Sequence, residues 1–236
     1  MTKGLINSIE TLGTLDGPGI RFVAFLQGCQ LRCLYCHNPE TWAIKGQSIE
    51  ISPQELVEKV EKYRNYFGDD GGVTFSGGEP LLQPDFLLEC LKLLKKKNFH
   101  TCIDTAGFGF GNYTEILKYT DLVLLDIKAV DPDEYTQITG QKIERFNEFL
   151  SAVTKTKTKL WLRQVIVPGI NDDKEHMEKL KQFASTLKNV EKIELLPYRT
   201  IGVHKYTTLN LPYRLEGIEE LSQEKLNELN QILNNQ

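Results

Sequence analysis

The sequence predicts an α/β fold: a partial, splayed TIM-like barrel of about six βα units. Short apolar segments alternate with helical segments about six times along the 236 residues, which indicates parallel strands joined by right-handed crossovers. A complete barrel of this class has about eight units, so six units leave one side open. No Pro/Gly/Ser-rich linker interrupts the chain, and we therefore expect a single domain over residues 1–236.

Composition is ordinary for a soluble globular protein, with 40% hydrophobic and 25% charged residues. The formal net charge of −4 argues against a general nucleic-acid binder. No apolar run approaches the roughly 20 residues that span a bilayer, and the amino terminus has no secretory pattern. We expect a cytoplasmic monomer with neither nucleic-acid nor membrane partners.

The individual elements follow from local patterns. Residues 5–10 are predicted to pair as a strand with residues 21–27 across a turn at 13–19. Ser52 is a good N-cap, Glu55 completes a capping box, and the helix that they start is expected to reach about residue 67. Further helices are predicted at 84–97, 112–119, 132–138, 143–155, 172–187 and 222–233, and further strands at 71–75, 100–105, 121–128, 160–167 and 192–196.

The loop after the second predicted strand holds three of the five cysteines, Cys29, Cys33 and Cys36. Three thiolates on a cubane iron–sulfur cluster leave one iron open to a small molecule. Cys90 and Cys102 lie far away, in predicted core positions. The loop therefore favours chemistry at a cluster over electron storage.

Three other interpretations of this loop stay open at this point. The cysteines and His37 are a possible Cys3His zinc site, and so a zinc-stabilised binding module. Disulfides are typical of secreted proteins, and with five cysteines one thiol would stay unpaired. A redox Cys-x-x-Cys pair uses Cys33 and Cys36 and leaves Cys29 idle.

The Cys-x3-Cys-x2-Cys spacing, with Tyr35 before the last cysteine, resembles the signature of radical S-adenosylmethionine (SAM) enzymes. The flanking segments, Asp16-Gly17-Pro18-Gly19-Ile20-Arg21 and Tyr35-Cys36-His37-Asn38-Pro39, are similar to those of glycyl radical activating enzymes. This resemblance implies the radical SAM fold, a [4Fe-4S] cluster and SAM. It also implies reductive cleavage of SAM to a deoxyadenosyl radical, which abstracts a hydrogen from a glycine of a partner enzyme.

The resemblance also implies which residues act. Cys29, Cys33 and Cys36 hold the cluster, and with Lys128 they form the predicted catalytic set. The Gly-Gly-Glu-Pro motif at 77–80 orients the methionine amine of SAM, and Lys128 contacts its carboxylate. The predicted cofactor-binding residues are Tyr35, Cys36, His37, Asn38, Gly77, Gly78, Glu79, Asp104, Asp126, Lys128, Arg163, Leu196 and Arg199. Arg199 stands where some members have a ribose-contacting histidine.

Two further sites are expected. Asp104, Thr105, Leu124 and Asp126 match a monovalent cation site, for Na⁺ or K⁺. The loop with Asp16, Gly17 and Arg21 is expected to bind the substrate segment, although an Asp-Gly pair also marks a plain turn. Without the family comparison, the charges at 104, 126 and 128 fit an ordinary salt-bridged rim equally well.

The resemblance further implies that the partner is pyruvate formate-lyase and that the electron donor is a flavodoxin or ferredoxin type protein in an anaerobic setting. No cysteine lies between Cys36 and Ser76, so the chain lacks the ferredoxin-like insert of many related activases. Activases of other glycyl radical enzymes, including anaerobic ribonucleotide reductase, remain alternatives. Another is a small-molecule radical enzyme such as a carboxy-deazaguanine synthase, which a deep closed pocket would favour.

Overall fold

A computed structural model describes residues 2–44, 46 and 48–234. Its strands form one sheet, which is built from both antiparallel and parallel pairs. The strands are β1 Gly4–Gly13, β2 Arg21–Leu26, β3 Ile49–Ile51, β4 Gly72–Gly77, β5 His100–Thr105, β6 Leu122–Asp126, β7 Lys159–Ile166 and β8 Val190–Pro197.

The sheet order is β3-β1-β2-β4-β5-β6-β7-β8. The first two pairs are antiparallel, and all pairs from β2 to β8 are parallel. Six parallel strands in an open sheet confirm the predicted α/β fold with a splayed side. The predicted hairpin of the first two strands is also confirmed.

Helices connect most of the parallel strands, and two further helices follow the last strand. They are α1 Pro53–Glu61, α2 Pro84–Lys96, α3 Tyr113–Leu117, α4 Pro132–Thr139, α5 Glu144–Val153, α6 Lys174–Ser185, α7 Val203–Thr208 and α8 Gln223–Asn234. Buried apolar side chains from these helices and from the strands form one large core. Within the described residues, no helix is long and apolar enough to span a membrane.

Helix α1 ends earlier than predicted. It stops at Glu61, and a 3-10 helix at Arg64–Tyr66 follows. The tighter turn brings two aromatic side chains to the core, because Tyr63 packs on Phe22 with ring centroids 5.9 Å apart and Phe67 packs on Phe99 at 5.9 Å. Tertiary packing therefore overrides the helical pattern there.

The other face of the sheet is apolar in the middle of its strands and polar at their carboxyl ends. Cys102, Leu122 and Leu124 form a small buried cluster with Trp161 packed against it. Two residues further along β6 and β7 come Asp126 and Arg163, which pair directly in the register. Since alternate residues of a strand share a face, the polar groups stand above an apolar floor at the carboxyl ends of the strands.

Candidate active site

A cavity of about 360 Å³ opens at the carboxyl ends of the parallel strands. All three loop cysteines line it, together with side chains from strands β4 to β8. The lining residues are Asp16, Phe25, Cys29, Leu31, Cys33, Tyr35, Cys36, His37, Asn38, Trp42, Ser76, Gly77, Gly78, Asp104, Thr105, Ala106, Asp126, Lys128, Arg163, Val165, Leu196 and Pro197.

The cysteine loop is held from its outer side by the end of α4. The amide of Arg32 donates to the Thr139 carbonyl at 2.7 Å, and the amide of Leu34 donates to the Ile138 carbonyl at 3.0 Å. Gly140 ends α4 in the left-handed region with φ of 71°, which releases those carbonyls toward the loop. The loop is thus fixed by backbone hydrogen bonds on both sides of Cys33.

All three loop thiols are free and partly exposed. Burial raises the pKa of each thiol, and that of Cys33 reaches about 11 even though Lys128 counteracts the shift. The Trp42 side chain hydrogen-bonds to Cys36, and the amine of Lys128 lies 5.5 Å from the centre of the Tyr35 ring. The loop therefore holds neutral thiols whose protons a metal group would displace on binding.

The donor set fits a multi-iron cluster. Within residues 2–44, 46 and 48–234, no three His, Cys, Asp or Glu side chains converge as ligands of a single ion. A cluster needs no such convergence, because each thiolate binds a different iron. His37 turns its Nε2 to the Arg199 carbonyl at 2.9 Å, and Cys90 and Cys102 are fully buried elsewhere. Three thiols on one cavity wall match three corners of a cubane.

The two glycines of the Gly-Gly-Glu-Pro motif join β4 to the base of the cysteine loop. Gly78 donates its amide to the Leu26 carbonyl, and Glu79 donates its amide to the Gly28 carbonyl, both at 2.9 Å. Gly77 has φ of 112°, which disfavours any side chain. A Cβ at Gly78 would overlap the carbonyl oxygen of Gly28 and stand 2.8 Å from its carbonyl carbon. Both glycines are needed for this close backbone crossing.

Glu79 faces away from the cavity and supports its wall. Its carboxylate accepts hydrogen bonds from the Thr105 hydroxyl at 2.5 Å, the Ala106 amide at 2.9 Å and the Leu81 amide at 3.1 Å. Complete burial outweighs these donors and raises its pKa to about 7. The side chain that was predicted to bind the cofactor thus ties β4 to the end of β5.

A four-membered ion network forms the floor of the cavity. Arg163 donates to Asp104 at 2.8 Å and to Asp126 at 3.2 Å, and Lys128 donates to Asp126 at 3.0 Å. The Ser76 hydroxyl donates to Asp104 at 2.7 Å. The charges of two cations and two carboxylates balance. Among the described residues, Lys128 has one hydrogen-bond acceptor, Asp126. Its remaining ammonium protons are available to a ligand carboxylate.

The two carboxyl groups of this network differ electrostatically. Burial, with the nearby Asp126 charge, raises the pKa of Asp104 despite Arg163. Burial acts in the same direction on Asp126, but Lys128 and Arg163 outweigh it and lower its pKa. Burial opposes the charge of Lys128, yet Asp126 raises the pKa of Lys128 well above its usual value. Lys128 is therefore a fixed positive charge in the cavity wall.

The four residues of the predicted cation site are only partly brought together. Asp104 and Asp126 lie side by side with Arg163 between them. The Thr105 hydroxyl instead donates to Glu79, and the Leu124 side chain lies in the apolar cluster below. A Na⁺ or K⁺ site at the two carboxylates stays a prediction.

The residues of the predicted substrate loop are also only partly placed at the cavity. Asp16 lines the cavity, and burial beside Asp104 raises its pKa to about 6. Arg21 differs from the expectation, because its side chain is fully buried and cannot contact a partner protein. It donates to the Thr74 hydroxyl at 2.8 Å and to the carbonyls of Val73 at 2.6 Å and Pro18 at 3.3 Å. Arg21 therefore shapes the loop from below.

The remaining predicted cofactor-binding residues do not all face the cavity. Leu196, expected to flank the adenine, lines the cavity together with His37 and Asn38, whereas Arg199, expected near the ribose, points away and donates to the Leu221 carbonyl at 2.7 Å. Its own carbonyl holds His37, so Arg199 acts on the cavity through its backbone. His204 bonds the nearby Ile201 carbonyl at 3.0 Å and does not replace the missing histidine.

Sequence reasoning missed two supports of the cysteine loop. Lys205 donates to Asn38 at 2.9 Å and to Glu40 at 2.5 Å. The Tyr206 hydroxyl donates to the Cys36 carbonyl at 3.0 Å. Both belong to α7, which was not predicted, so their only sequence signal was an aromatic residue next to a cation.

Residues 23–184 match the family model described as the radical SAM superfamily. A pyruvate formate-lyase-activating enzyme of Clostridium pasteurianum is 54% identical, over 99% of this chain and 98% of the relative. The enzyme of the same name from Staphylococcus epidermidis is 46% identical, over 99% of this chain and 96% of the relative. These relatives extend along essentially the whole sequence.

Solved structures give the same fold. A domain of a pyruvate formate-lyase-activating enzyme from Bacteroides vulgatus superposes with a TM-score of 0.56 and 26% identity, covering 69% of this chain and 92% of that one. SAM-bound SuiB from Streptococcus suis has a TM-score of 0.62 and 15% identity, covering 86% and 44%, and this likeness concerns the fold alone. By sequence, fold and cysteine motif, the chain belongs to the radical SAM superfamily and, within it, to the family of pyruvate formate-lyase-activating enzymes.

Proposed function

We propose that this protein activates pyruvate formate-lyase by cleaving SAM reductively and removing a hydrogen atom from a glycine of that enzyme. The observation that carries the proposal is that three cysteine thiols and the Lys128 ammonium face one cavity of about 360 Å³. The names of the relatives support the choice of partner. An anaerobic cytoplasm, a monomeric state and a flavodoxin or ferredoxin type donor belong to the same proposal.

Cys29, Cys33 and Cys36 would hold the [4Fe-4S] cluster, and the described residues offer no fourth thiol in the cavity. When bound, the cluster supplies one electron to the sulfonium of SAM and an open iron for its amino acid end. Loss of the thiol protons is needed first, because burial raises their pKa. Lys128 favours this loss at Cys33 by its positive charge.

The chain's own groups position the cofactor. Lys128 offers free donor protons to the methionine carboxylate, and its charge is fixed by Asp126. The backbone at Gly77 and Gly78 approaches from the neighbouring wall without side chains to obstruct it. Leu196 and the backbone at Tyr35 flank the adenine end. The cavity is partly open to solvent, so a bound partner would complete the enclosure that protects a reactive carbon radical.

The assay is electron paramagnetic resonance under anaerobic conditions. Reconstituted, reduced protein is mixed with SAM, with and without pyruvate formate-lyase. A glycyl radical doublet that requires every component is expected. Cleavage of SAM without the doublet would reject this partner, and a protein that binds zinc in place of iron would reject the chemistry.

A matched pair of variants locates the chemistry. Cys33→Ala should lose cluster iron and radical formation together. Cys102→Ala removes a thiol that is fully buried in the apolar floor, and it should retain both. Equal behaviour of the two variants would contradict the assignment of the loop.

A further inference from the structure

The outer side of the cysteine loop carries a small cationic and apolar surface, formed by Arg32, Trp42, Ile44 and Arg214. Arg32 and Arg214 are exposed, and Ile44 is 61% exposed. We propose that this Arg32–Arg214 surface is the docking site of an acidic one-electron carrier protein that reduces the cluster. The inference rests on the proposed function, because that function requires an electron source.

The surface is adjacent to two of the ligating residues. The Arg32 guanidinium donates to the Cys29 carbonyl at 2.8 Å and stacks 4.7 Å above the centre of the Trp42 ring. The Trp42 side chain in turn hydrogen-bonds to Cys36. A protein that contacts Arg32 therefore reaches the cysteine backbone through a single side chain.

An aromatic group supports the same surface from behind. Trp42 meets Tyr206 edge-to-face with ring centroids 5.8 Å apart, and the Tyr206 hydroxyl donates to the Cys36 carbonyl at 3.0 Å. Tyr206 also packs on Tyr213 at 4.9 Å. This packing holds Trp42 in place, so the surface is rigid before a partner arrives. Preorganised surfaces lose less entropy on binding.

The charges of the surface are uncompensated. Neither Arg32 nor Arg214 has a carboxylate partner among the residues that the structure describes. Two of the nearby acidic groups are paired with other cations, Glu40 with Lys205 at 2.5 Å and Glu220 with Arg199 at 3.5 Å. The chain as a whole has a net charge of −4. An acidic carrier is therefore repelled by the molecule in general and attracted here.

The surface and the cavity are separate. Arg32, Ile44 and Arg214 do not line the cavity, whereas Trp42 contacts both sides. A carrier on the outer side would leave the cavity free for SAM and the substrate glycine. In the transfer itself the carrier loses one electron and the cluster gains it, with no bond made or broken. Exposed Ile44 supplies the apolar contact that protein interfaces combine with a charged rim.

The test uses the reconstituted holoenzyme and a flavodoxin as the acidic carrier. Arg214→Glu should weaken flavodoxin binding, measured by calorimetry, by about tenfold at low salt, and high salt should remove most of the difference. Lys157→Glu is the matched control, since Lys157 is exposed and precedes β7 at the opposite end of the sheet. Arg32→Gln keeps a donor for the Cys29 carbonyl and should weaken binding less strongly.

The rate of cluster reduction gives a second readout. Reduced flavodoxin should reduce the Arg214→Glu cluster about tenfold more slowly, while a small cationic viologen should reduce it at least as fast as the unchanged protein. Unchanged flavodoxin affinity, equal weakening by Lys157→Glu, or an equal loss with viologen would overturn the proposal. These outcomes are independent of the partner enzyme, so they leave the proposed function to be judged by its own radical assay.

Discussion

Replacing Gly78 by alanine tests whether the glycine pair positions the cysteine loop. The new Cβ would overlap the carbonyl oxygen of Gly28 and lie 2.8 Å from its carbonyl carbon, so the backbone must move by about 1 Å to reach ordinary contact. Cys29 follows Gly28 directly, and the movement is therefore transmitted to a cluster ligand.

The cost can be worked out from the same contacts. The shift strains two backbone hydrogen bonds, from Gly78 to Leu26 and from Glu79 to Gly28, both 2.9 Å long. Each is worth about 1 kcal/mol, and overpacking adds about 1–3 kcal/mol. We expect the free energy of unfolding to fall by about 3 kcal/mol, measured with urea, and the iron content after anaerobic reconstitution to fall with it.

Gly169→Ala is the control. Gly169 has φ of 74°, and a Cβ there would have no neighbour within 4 Å, so the loss should be about 1 kcal/mol from backbone strain alone. Its iron content should be normal. A Gly78→Ala protein with full iron content and the stability of Gly169→Ala would refute the reasoning.

Three further predictions follow from buried polar groups. Arg21→Met should lower the free energy of unfolding by about 3 kcal/mol, because it leaves buried acceptors at Thr74 and Val73 unpaired; a loss in urea below about 1 kcal/mol would contradict this role. Asp126→Asn should lower the free energy of unfolding by about 3 kcal/mol and weaken SAM binding, measured by calorimetry, because it removes the carboxylate partner of buried Lys128. Unchanged SAM binding would argue against Lys128 as the contact of the SAM carboxylate. The Glu79 pKa is raised to about 7 from 4.5 in the unfolded chain, so the unfolded state loses its proton first. Between about pH 4.5 and 7 the free energy of unfolding of the wild type should fall by about 3 kcal/mol relative to that of Glu79→Gln, and it should fall no further above pH 7. A difference in unfolding free energy that stays constant with pH in urea titrations would contradict the burial of that charge.

The sequence predicts the fold well where periodicity and turn chemistry agree. The hairpin at the start and the six parallel strands are examples, since strands such as β2 and β6 are apolar runs bounded by polar or glycine residues. Ser52 and Glu55 form the expected capping box. Strand β3, at Ile49–Ile51, has three residues, which is too short for any period to show. Helix α7 carries two threonines and a histidine, which are weak helix formers.

The candidate site was predictable in its chemistry and less so in its contacts. Cysteine spacing placed three thiols in one loop, and strand ends placed Asp104, Asp126 and Lys128 at one edge of the sheet. The direction of a side chain at a turn depends on tertiary packing, which spacing does not encode. Glu79 and Arg21 show this, because both occupy motif positions and yet are buried within the supporting wall.

The most direct test of the proposed function follows the hydrogen atom itself. Pyruvate formate-lyase is prepared with deuterated glycine and activated anaerobically with the reconstituted protein and unlabelled SAM, and the 5′-deoxyadenosine is analysed by mass spectrometry. We predict one deuterium in the 5′-deoxyadenosine, in proportion to the glycyl radical formed. Unlabelled 5′-deoxyadenosine alongside a full radical signal would contradict direct abstraction from glycine.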